Sequence, residues 1–584
     1  MRLFWIFRFW RSFSAAGLLI GTLFFAASLT PTLLPRTFVT QGVLSGCSFA
    51  AGYGLGVFGR WLAYYLELPK PTGRIVRAIK LVAAATCILV AVAFLWQASE
   101  WQNSIRQLMR LEPVDTAHPL KVGLIALLTF VLLILLARLF QVTFLFISRM
   151  LGRIVPKRVS YVIGIAAAAA LFWTVVNGVF FRFALHAADS SFQAFDELIE
   201  PETQQPADPS KTGSDTSLIE WDELGRAGRE FIATGPTSKD LGSFLGMDAR
   251  EPIRVYVGLR SAETAEERAK LALEELKRVG GFDRSVLIVV MPTGTGWIDP
   301  AAMDTVEYLH GGDVASVAVQ YSYLTSWLSL LVEPGYGAEA ARTLFAEIYS
   351  HWAKLPKESR PRLYLHGLSL GALSSEQSAE LFEVIGDPYQ GALWSGPPFP
   401  SRIWRSVTDD RERGSPAWLP RFRDGSYVRF TSQENGLAIP DAHWGPMRIV
   451  YLQYASDPVT FFDYRSLYRQ PEWMAGPRGS DVSPELKWYP VVTLLQLTVD
   501  MATATTAPMG YGHVYAPEHY IDAWIEVTDV RGWTAEQINR LKLEFLRRRR
   551  RGAAGEGQAS WCSSPARRST SVSRSCTSTT FRSR

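Results

Sequence analysis

Long runs of apolar residues dominate the first 186 residues of the chain. A helix needs roughly 20 such residues to cross the hydrocarbon core of a bilayer. A cleaved signal peptide would also explain the first run, but four further runs favour a retained anchor. The runs cover residues 15–34, 43–59, 81–96, 122–137 and 162–181. The pattern therefore predicts a bundle of about five transmembrane helices over residues 1–186.

Lysine and arginine are concentrated in alternate connections between these runs. They precede the first run and are dense in residues 60–80 and 149–158. The other two connections differ, because residues 35–41 form a short connection and residues 100–121 carry balanced positive and negative charges. Basic residues are retained on the cytoplasmic side of a membrane. We therefore predict a multi-pass protein of the cell membrane, with a cytoplasmic N-terminus and with everything beyond about residue 189 outside the cytoplasm.

The pattern changes after the apolar runs. Residues 187–250 are polar and rich in Pro, Ser, Asp and Glu, which predicts a linker and lead-in segment. Residues 251–546 alternate short apolar strands such as "SVLIVVMP" with amphipathic helices such as "TAEERAKLALEELKRV". Such alternation predicts an α/β domain with a mostly parallel central sheet and helices on both faces.

The C-terminal part is predicted to end in a helix and then a tail. Thr534 and Gln537 have the spacing of a capping box at the start of the last amphipathic helix. Residues 547–584 begin with five arginines and continue with Ser, Arg and Thr, which predicts a basic, disordered tail.

Composition argues against several classes of function. The net charge of +5 is spread over basic loops and the tail, so we predict no nucleic-acid partner. The eight histidines and four cysteines form no metal-binding motif, and we predict neither a metal nor a cofactor. Arg138, at the end of the fourth run, is the only candidate for an intramembrane charge, which disfavours a transporter.

A glycine motif in the second apolar run resembles a dinucleotide-binding loop in its letters alone. "GLGVFG", residues 54–59, has no preceding strand and no following soluble helix. Gly52 and Gly56 instead have the Gly-x-x-x-Gly spacing that lets two membrane helices approach closely. We therefore predict a helix contact here.

The stretch "LYLHGLSLGALSSEQ" runs from a strand through Gly-x-Ser-x-Gly into a helix. This is the context of a nucleophile elbow, in which the serine sits on a strained turn. Ser369 is therefore the candidate nucleophile, and the backbone N–H of Leu370 is a candidate oxyanion donor. The loop "MPTGTGW" after an earlier strand offers a second donor from Gly294, Thr295 or Gly296.

The acid and base of such a site should follow the serine in the order Asp or Glu, then His. Asp457 comes directly after the apolar stretch "RIVYLQYAS", with Asp463 and Asp441 as alternatives. His513 lies in a Gly-rich loop before a helix and is favoured over His519, which falls in the first turn of that helix. His366 and His443 precede the expected position, and packing explains them.

On these motifs the sequence resembles a bacterial family of membrane-anchored α/β-hydrolases. The resemblance rests on "SLTPTLLPR" and "QGVLSGCSFAAGYGLG" in the first part and on "MPTGTGWIDP", "LYLHGLSLGALSSE" and "YLQYASDP" in the second. It covers the chain to about residue 547 and does not extend to the tail. It implies that Ser369 is the nucleophile and that Asp457 and His513 are its triad partners.

Together these features predict a membrane-tethered serine hydrolase of the esterase, lipase or thioesterase type. Its partners would be the lipid bilayer and an acyl ester or lipid-like substrate. Aromatic residues between 401 and 488 and the apolar helix 491–505 could form a cap over an acyl chain, or could serve ordinary packing. An envelope acyltransferase with the same triad, or a non-catalytic binding protein on the same fold, are the alternatives.

Overall fold

The structure is a computed structural model that describes residues 13–68, 74–175, 203–323, 335–379 and 384–562. The chain forms two compact units, Met1–Val530 and Arg531–Arg584. The first unit contains both the apolar N-terminal helices and the α/β domain.

The N-terminal part is a bundle of apolar helices, as predicted. Within the described residues, three helices are long and apolar enough to cross a membrane, over Phe38–Tyr65, Ala78–Leu108 and Pro119–Leu151. The five helices are α1 (Ala15–Ser28), α2 (Phe38–Tyr65), α3 (Arg74–Leu108), α4 (Pro119–Leu151) and α5 (Lys157–Trp173).

The first apolar run is not one continuous helix, contrary to the prediction. Helix α1 has 14 residues, which corresponds to about 21 Å. Residues 29–34 leave the helix and are buried, with Leu33 and Leu34 at most 1% exposed. Pro31 and Pro35 explain the break, because proline disfavours helical backbone at the residue before it and lacks an N–H. At the other end of the bundle, the predicted run 162–181 passes beyond the described residues at 176.

Glycines on α2 set its distance from the neighbouring helices. A Cβ on Gly56 would lie 2.5 Å from the carbonyl oxygen of Ala16, and one on Gly52 would lie 2.7 Å from that of Ile20. On another part of α2, a Cβ on Gly46 would lie 2.6 Å from the carbonyl oxygen of Ala126 in α4. Within the motif that resembles a dinucleotide loop in its letters, Gly56 therefore lies at a helix contact, whereas a Cβ on Gly54 or Gly59 would meet nothing within 4 Å.

The α/β domain is built on a seven-stranded sheet in the order β1-β3-β2-β4-β5-β7-β6. Every neighbouring pair is parallel, and nearly all strand residues are buried, which confirms the predicted parallel sheet. The strands are β1 (Ile253–Val257), β2 (Val286–Met291), β3 (Val314–Val319), β4 (Arg362–Leu368), β5 (Gly391–Ser395), β6 (Val428–Thr431) and β7 (Arg448–Leu452).

Helices cover both faces of this sheet. Parallel strands need crossover connections, and these are right-handed, so crossovers that move in opposite directions along the sheet lie on opposite faces. Helices α8 (Ala265–Arg278), α10 (Tyr336–Trp352) and α11 (Leu370–Glu376) follow β1, β3 and β4. Helix α9 (Pro300–Leu309) follows β2 in the reverse direction and packs beside α14 (Pro517–Val527), where Trp524 Nε1 donates to the Ala302 carbonyl at 2.9 Å.

The segment predicted as a linker is folded over much of its length. Helices α6 (Gly225–Ala233) and α7 (Ser238–Leu245) follow a 3-10 turn at Trp221–Leu224. The side chains of Trp221 and Phe231 are buried, and α6 packs against β1. The α/β domain therefore begins before residue 251, and the segment was misread because its few apolar residues are diluted by polar ones. Residues 187–202 lie outside the described part.

Two further short α-helices lie in the first unit. Helix α12 (Arg402–Asp409) lies in the Trp- and Arg-rich region, and α13 (Val492–Ala502) is the apolar helix of the predicted cap.

The second unit contains α15 (Ala535–Cys562). Its capping box is present, because Thr534 N donates to Gln537 Oε1 at 2.8 Å and Gln537 N donates to Thr534 Oγ1 at 3.2 Å. The helix continues to residue 562, so the prediction of disorder is wrong for residues 547–562, where Arg548 pairs with Glu544 one turn before it. Residues 563–584 lie outside the described part.

Candidate active site

Ser369 lies on the sharp turn between β4 and α11. Its backbone has φ 58° and ψ −124°, a left-handed conformation that costs a non-glycine residue about 1–3 kcal/mol. Glycines on either side make the turn possible. A Cβ on Gly367 would lie 2.3 Å from the carbonyl carbon of Gly371, and one on Gly371 would lie 2.1 Å from the carbonyl oxygen of Met291. This is the geometry of a nucleophile elbow.

The glycine-containing loop after β2 begins beside this elbow. Strand β2 pairs with β4, with Met291 opposite Gly367. The loop closes a turn in which Gly296 N donates to the Thr293 carbonyl at 2.9 Å, and the Gly296 carbonyl accepts from Tyr256 Oη at 2.8 Å. Because this turn uses the Gly296 N–H, Gly296 is no longer a suitable oxyanion donor, and Thr295 is the better candidate.

The N-terminus of α11 offers the other candidate donor. Leu370 is the first residue of this helix, where backbone N–H groups have no intrahelical acceptor and can bind a negative charge. Leu370 is therefore suitably placed to act with the loop after β2.

Asp457 and His513 form a buried pair. Nδ1 of His513 lies 2.7 Å from Oδ2 of Asp457. The Asp457 side chain is fully buried, and 7% of the His513 side chain is exposed. Since an ionised carboxylate only accepts hydrogen bonds, Nδ1 carries the proton, and Nε2 of the neutral ring is an acceptor.

Other donors fix the Asp457 carboxylate. Oδ1 accepts from Val459 N at 2.9 Å and from Thr460 N at 3.4 Å. Oδ2, which faces His513, also accepts from Tyr515 Oη at 2.7 Å. Oδ2 accepts as well from Thr460 Oγ1 at 3.3 Å, so the carboxylate is held both by its own loop and by the histidine loop.

The His513 ring packs next to the strand that adjoins Ser369. Ser369 N donates to the Ser395 carbonyl at 2.9 Å, and the next residue is Gly396. A Cβ on Gly396 would lie 2.7 Å from Cε1 of His513, so the ring rests directly on this glycine. Nε2 of His513 is buried and has no hydrogen-bond partner within the described residues. It is therefore available as a proton acceptor.

The alternative acids lie elsewhere in other roles. Asp441 is exposed and has a left-handed backbone with φ 62°. Asp463 caps the 3-10 turn Tyr464–Leu467 by accepting from Arg465 N at 2.8 Å. The structure therefore brings Asp457, and neither alternative, to His513.

The other histidines are also accounted for. Nδ1 of His519 lies 2.6 Å from Tyr454 Oη. His366 lies in the core with Nδ1 2.8 Å from the Leu393 carbonyl, and burial lowers the pKa of its imidazole to about 4. His443 is exposed.

Sequence reasoning missed two residues near the pair. Tyr515, two positions after His513, shares the Asp457 oxygen, and burial together with that carboxylate raises the pKa of its phenol far above the usual range. Asp299 caps α9 by accepting from Ala301 N at 3.0 Å, and burial raises the pKa of its carboxyl group to about 7. The Asp-Pro at the start of α9 was a visible signal for the cap, whereas nothing local distinguished Tyr515.

The apolar helix α13, considered as part of a cap, packs on the N-terminal bundle. It contacts α1 and α2, and Gln496 Nε2 lies 3.4 Å from the carbonyl oxygens of Ala27 and Thr30. Its apolar face is thus explained by an interface within the chain. Within the described residues, no group of three or more His, Cys, Asp or Glu could hold a metal ion.

Comparison with known proteins gives two family matches. Residues 253–541 match a model described as the alpha/beta-hydrolase family, and residues 29–236 match one described as the N-terminus of the same family. No curated protein and no solved structure matches the chain.

Proposed function

Because the chain belongs to an α/β-hydrolase family, we propose that it is a membrane-tethered serine hydrolase that cleaves an acyl ester or thioester through Ser369, His513 and Asp457. The observation that carries the proposal is the buried His513–Asp457 pair, whose histidine packs beside the strand that adjoins the strained Ser369 turn. The strained turn and the buried pair are each costly to fold, and their convergence at one edge of the sheet supports a shared chemical role.

The proposed reaction has two steps. Nε2 of His513 takes the Ser369 hydroxyl proton while Oγ attacks the acyl carbonyl carbon, and Asp457 stabilises the imidazolium that forms. The resulting oxyanion accepts hydrogen bonds from the backbone N–H groups of Leu370 and Thr295. The bond to the leaving alcohol or thiol then breaks, and that group takes the proton from Nε2.

The second step regenerates the serine. Water gives a proton to Nε2 and attacks the acyl carbon, and the carboxylic acid leaves as Ser369 recovers its proton from His513. These protein groups suffice for both steps.

The contacts between the α/β domain and the bundle support an extracytoplasmic active site. The domain contacts the connection between α1 and α2, and Ser483 Oγ lies 3.1 Å from Ser104 Oγ near the C-terminal end of α3. The described parts of the lysine- and arginine-rich connections, residues 60–68, 74–80 and 149–158, lie at the opposite ends of α2, α3 and α4. Since basic connections stay in the cytoplasm, the domain would lie on the other side.

Labelling by a fluorophosphonate probe tests the proposal. The full chain in detergent micelles should be labelled, and Ser369→Ala should abolish labelling. Ser378→Ala is a matched control, since Ser378 is a buried serine on the same segment whose hydroxyl donates to the Ser375 carbonyl at 2.8 Å. Absence of labelling in the wild type, or equal labelling of Ser369→Ala, would refute the proposal.

Product analysis then separates hydrolysis from acyl transfer. With p-nitrophenyl acyl esters of increasing chain length, a hydrolase releases the free acid in step with the phenol. An acyltransferase releases phenol faster than acid when an alcohol acceptor is added.

A further inference from the structure

Asp500 on α13 is a buried carboxylate bound by the bundle. We call residues 29–36, which connect α1 to α2, the anchor segment. Within it, Arg36 Nε donates to Asp500 Oδ1 at 3.1 Å and Leu33 N donates to Oδ2 at 3.1 Å. Thr32 Oγ1 also donates to Oδ1, at 3.2 Å. Only 1% of the Arg36 side chain and 0% of the Asp500 side chain are exposed.

Arg36 ties this carboxylate to several helices of the bundle at once. Its backbone N–H donates to Gln102 Oε1 on α3 at 2.8 Å, and its guanidinium donates to Gln41 Oε1 on α2 at 3.2 Å. The guanidinium also donates to the Ser28 carbonyl at the end of α1, at 3.4 Å. Asp500 is therefore fixed relative to three helices through one residue, whose side chain contacts α1 and α2 and whose backbone contacts α3.

The chain that follows Asp500 leads directly to the catalytic histidine. The 3-10 turn Ala504–Thr506 comes after α13, and the Ala504 carbonyl accepts from His513 N at 3.3 Å. A Cβ on Gly512 would lie 3.0 Å from Cδ2 of Leu34, so the residue before His513 rests on the anchor segment itself. Both contacts that support the histidine loop from this side thus depend on where the anchor segment lies.

We propose that Asp500, held by Arg36, is a positioning residue that sets the histidine loop through α13 and the Ala504 turn. The inference rests on the proposed function, because it assigns His513 the role of base. Asp500 touches no reacting atom and acts through the backbone at residues 504–513. The N-terminal bundle is then a working part of the catalytic site as well as a membrane anchor.

The physical reason is that a buried ion pair leaves little freedom to its surroundings. If one partner loses its charge, the other remains buried and unpaired, and the surrounding segments shift until water or another group reaches it. A shift of about 1 Å in a catalytic group can lower the rate about 100-fold. Asp500→Asn keeps the shape of the side chain and removes its charge.

The test compares Asp500→Asn with the loss of one charge from a second buried ion cluster. In Asp500→Asn, fluorophosphonate labelling of the full chain should slow at least 10-fold. The maximal labelling rate should fall, and the probe concentration that gives half of this rate should stay the same. Glu307→Gln is the control, because Glu307 is fully buried and lies 2.7 Å from Arg254, which also pairs with Asp304 at 2.7 Å. The hydrogen bonds of this cluster join β1 to α6 and α9. Glu307→Gln should label at the wild-type rate even if its stability falls.

A double-mutant cycle separates positioning from general destabilisation. If Asp500 acts through His513, then adding Asp500→Asn to His513→Gln leaves the residual labelling unchanged. Wild-type labelling of Asp500→Asn, or an equal loss in the His513→Gln background, overturns the inference. Leu34→Ala, which keeps the ion pair and removes the contact with Gly512, serves as a second variant and should also slow labelling.

Hydrogen exchange distinguishes failure of this inference from failure of the proposed function. Amides of residues 504–514 should exchange at least 10-fold faster in Asp500→Asn than in the wild type, whatever the chemistry of the site. Faster exchange in Asp500→Asn together with an unlabelled wild type would refute the proposed hydrolase activity and would leave the positioning role of Asp500 standing. Unchanged exchange would overturn the positioning role.

Discussion

Gly396→Ala tests whether the position of the His513 ring limits catalysis. The added Cβ would lie 2.7 Å from Cε1 and 3.0 Å from Nδ1 of His513, and 2.9 Å from Cε2 of Tyr515. Non-bonded carbon atoms prefer about 3.5–4.0 Å, so the imidazole has to move by about 1 Å. A displacement of that size at a catalytic group corresponds to about a 100-fold loss of rate, or about 2.7 kcal/mol of barrier.

The same substitution also strains the backbone. Gly396 has φ 51°, a left-handed conformation that costs an alanine about 1–2 kcal/mol. Gly246→Ala is the matched control, because Gly246 has φ 73° but nothing within 4 Å of its added Cβ. Both variants should lose stability in denaturant unfolding through backbone strain, and Gly396→Ala should lose about 1–3 kcal/mol more because its methyl group crowds two buried rings. Only Gly396→Ala should lose activity.

The assay is steady-state hydrolysis of a p-nitrophenyl acyl ester by the full chain in detergent, with fluorophosphonate labelling as a second readout. We expect kcat to fall and KM to change little, since the ring acts on bond making and not on substrate binding. Wild-type kcat in Gly396→Ala would refute the reasoning. An equal loss in Gly246→Ala would show that backbone strain, and not the ring position, controls the rate.

Two further predictions concern the residues around the catalytic pair. Tyr515→Phe removes one of the three donors to Oδ2 of Asp457, the others being His513 Nδ1 and Thr460 Oγ1. It should lower the free energy of unfolding by about 1.5–3 kcal/mol, the range for a hydrogen bond to a charged group, and should lower kcat; unchanged unfolding and kcat would contradict this. Asp299→Asn tests the pH dependence of stability. Burial raises the pKa of the Asp299 carboxyl to about 7, so the folded state holds that proton more tightly than the unfolded state. Wild-type stability therefore falls as pH rises from about 4 to 7, and the variant should gain a few kcal/mol relative to the wild type between pH 4 and pH 8 in thermal or denaturant unfolding. A stability difference that does not change with pH would contradict the assignment.

The order of elements could be read from the sequence because it depends on local periodicity. Buried parallel strands appear as short apolar runs, and the helices between them show the helical spacing of apolar residues. The elbow at Ser369 was visible for the same reason, since Gly367 and Gly371 are demanded by backbone contacts within a few residues or with the adjacent strand. The capping box at Thr534 is equally local.

Local signals also caused the errors. The polar composition of residues 203–250 hid two helices whose few apolar side chains are nevertheless buried. In the run 15–34, hydropathy predicts one continuous helix, but the two prolines that follow end the helix at Ser28. In the arginine-rich segment after residue 546, charge predicted disorder although the helix continues to residue 562.

The amino-acid sequence by itself determined the apolar bundle, the parallel sheet and the turn that presents Ser369, because each follows from residues close together along the chain. Only the tertiary structure decided which carboxylate meets His513, since Asp457, Asp463 and Asp441 all follow the serine, and one of them lies 2.7 Å from the imidazole. The pair between Arg36 and Asp500 joins residues 464 positions apart, and no periodicity or motif encodes such a contact. Its formation depends on how the bundle and the α/β domain pack together, and that packing is a property of the whole fold.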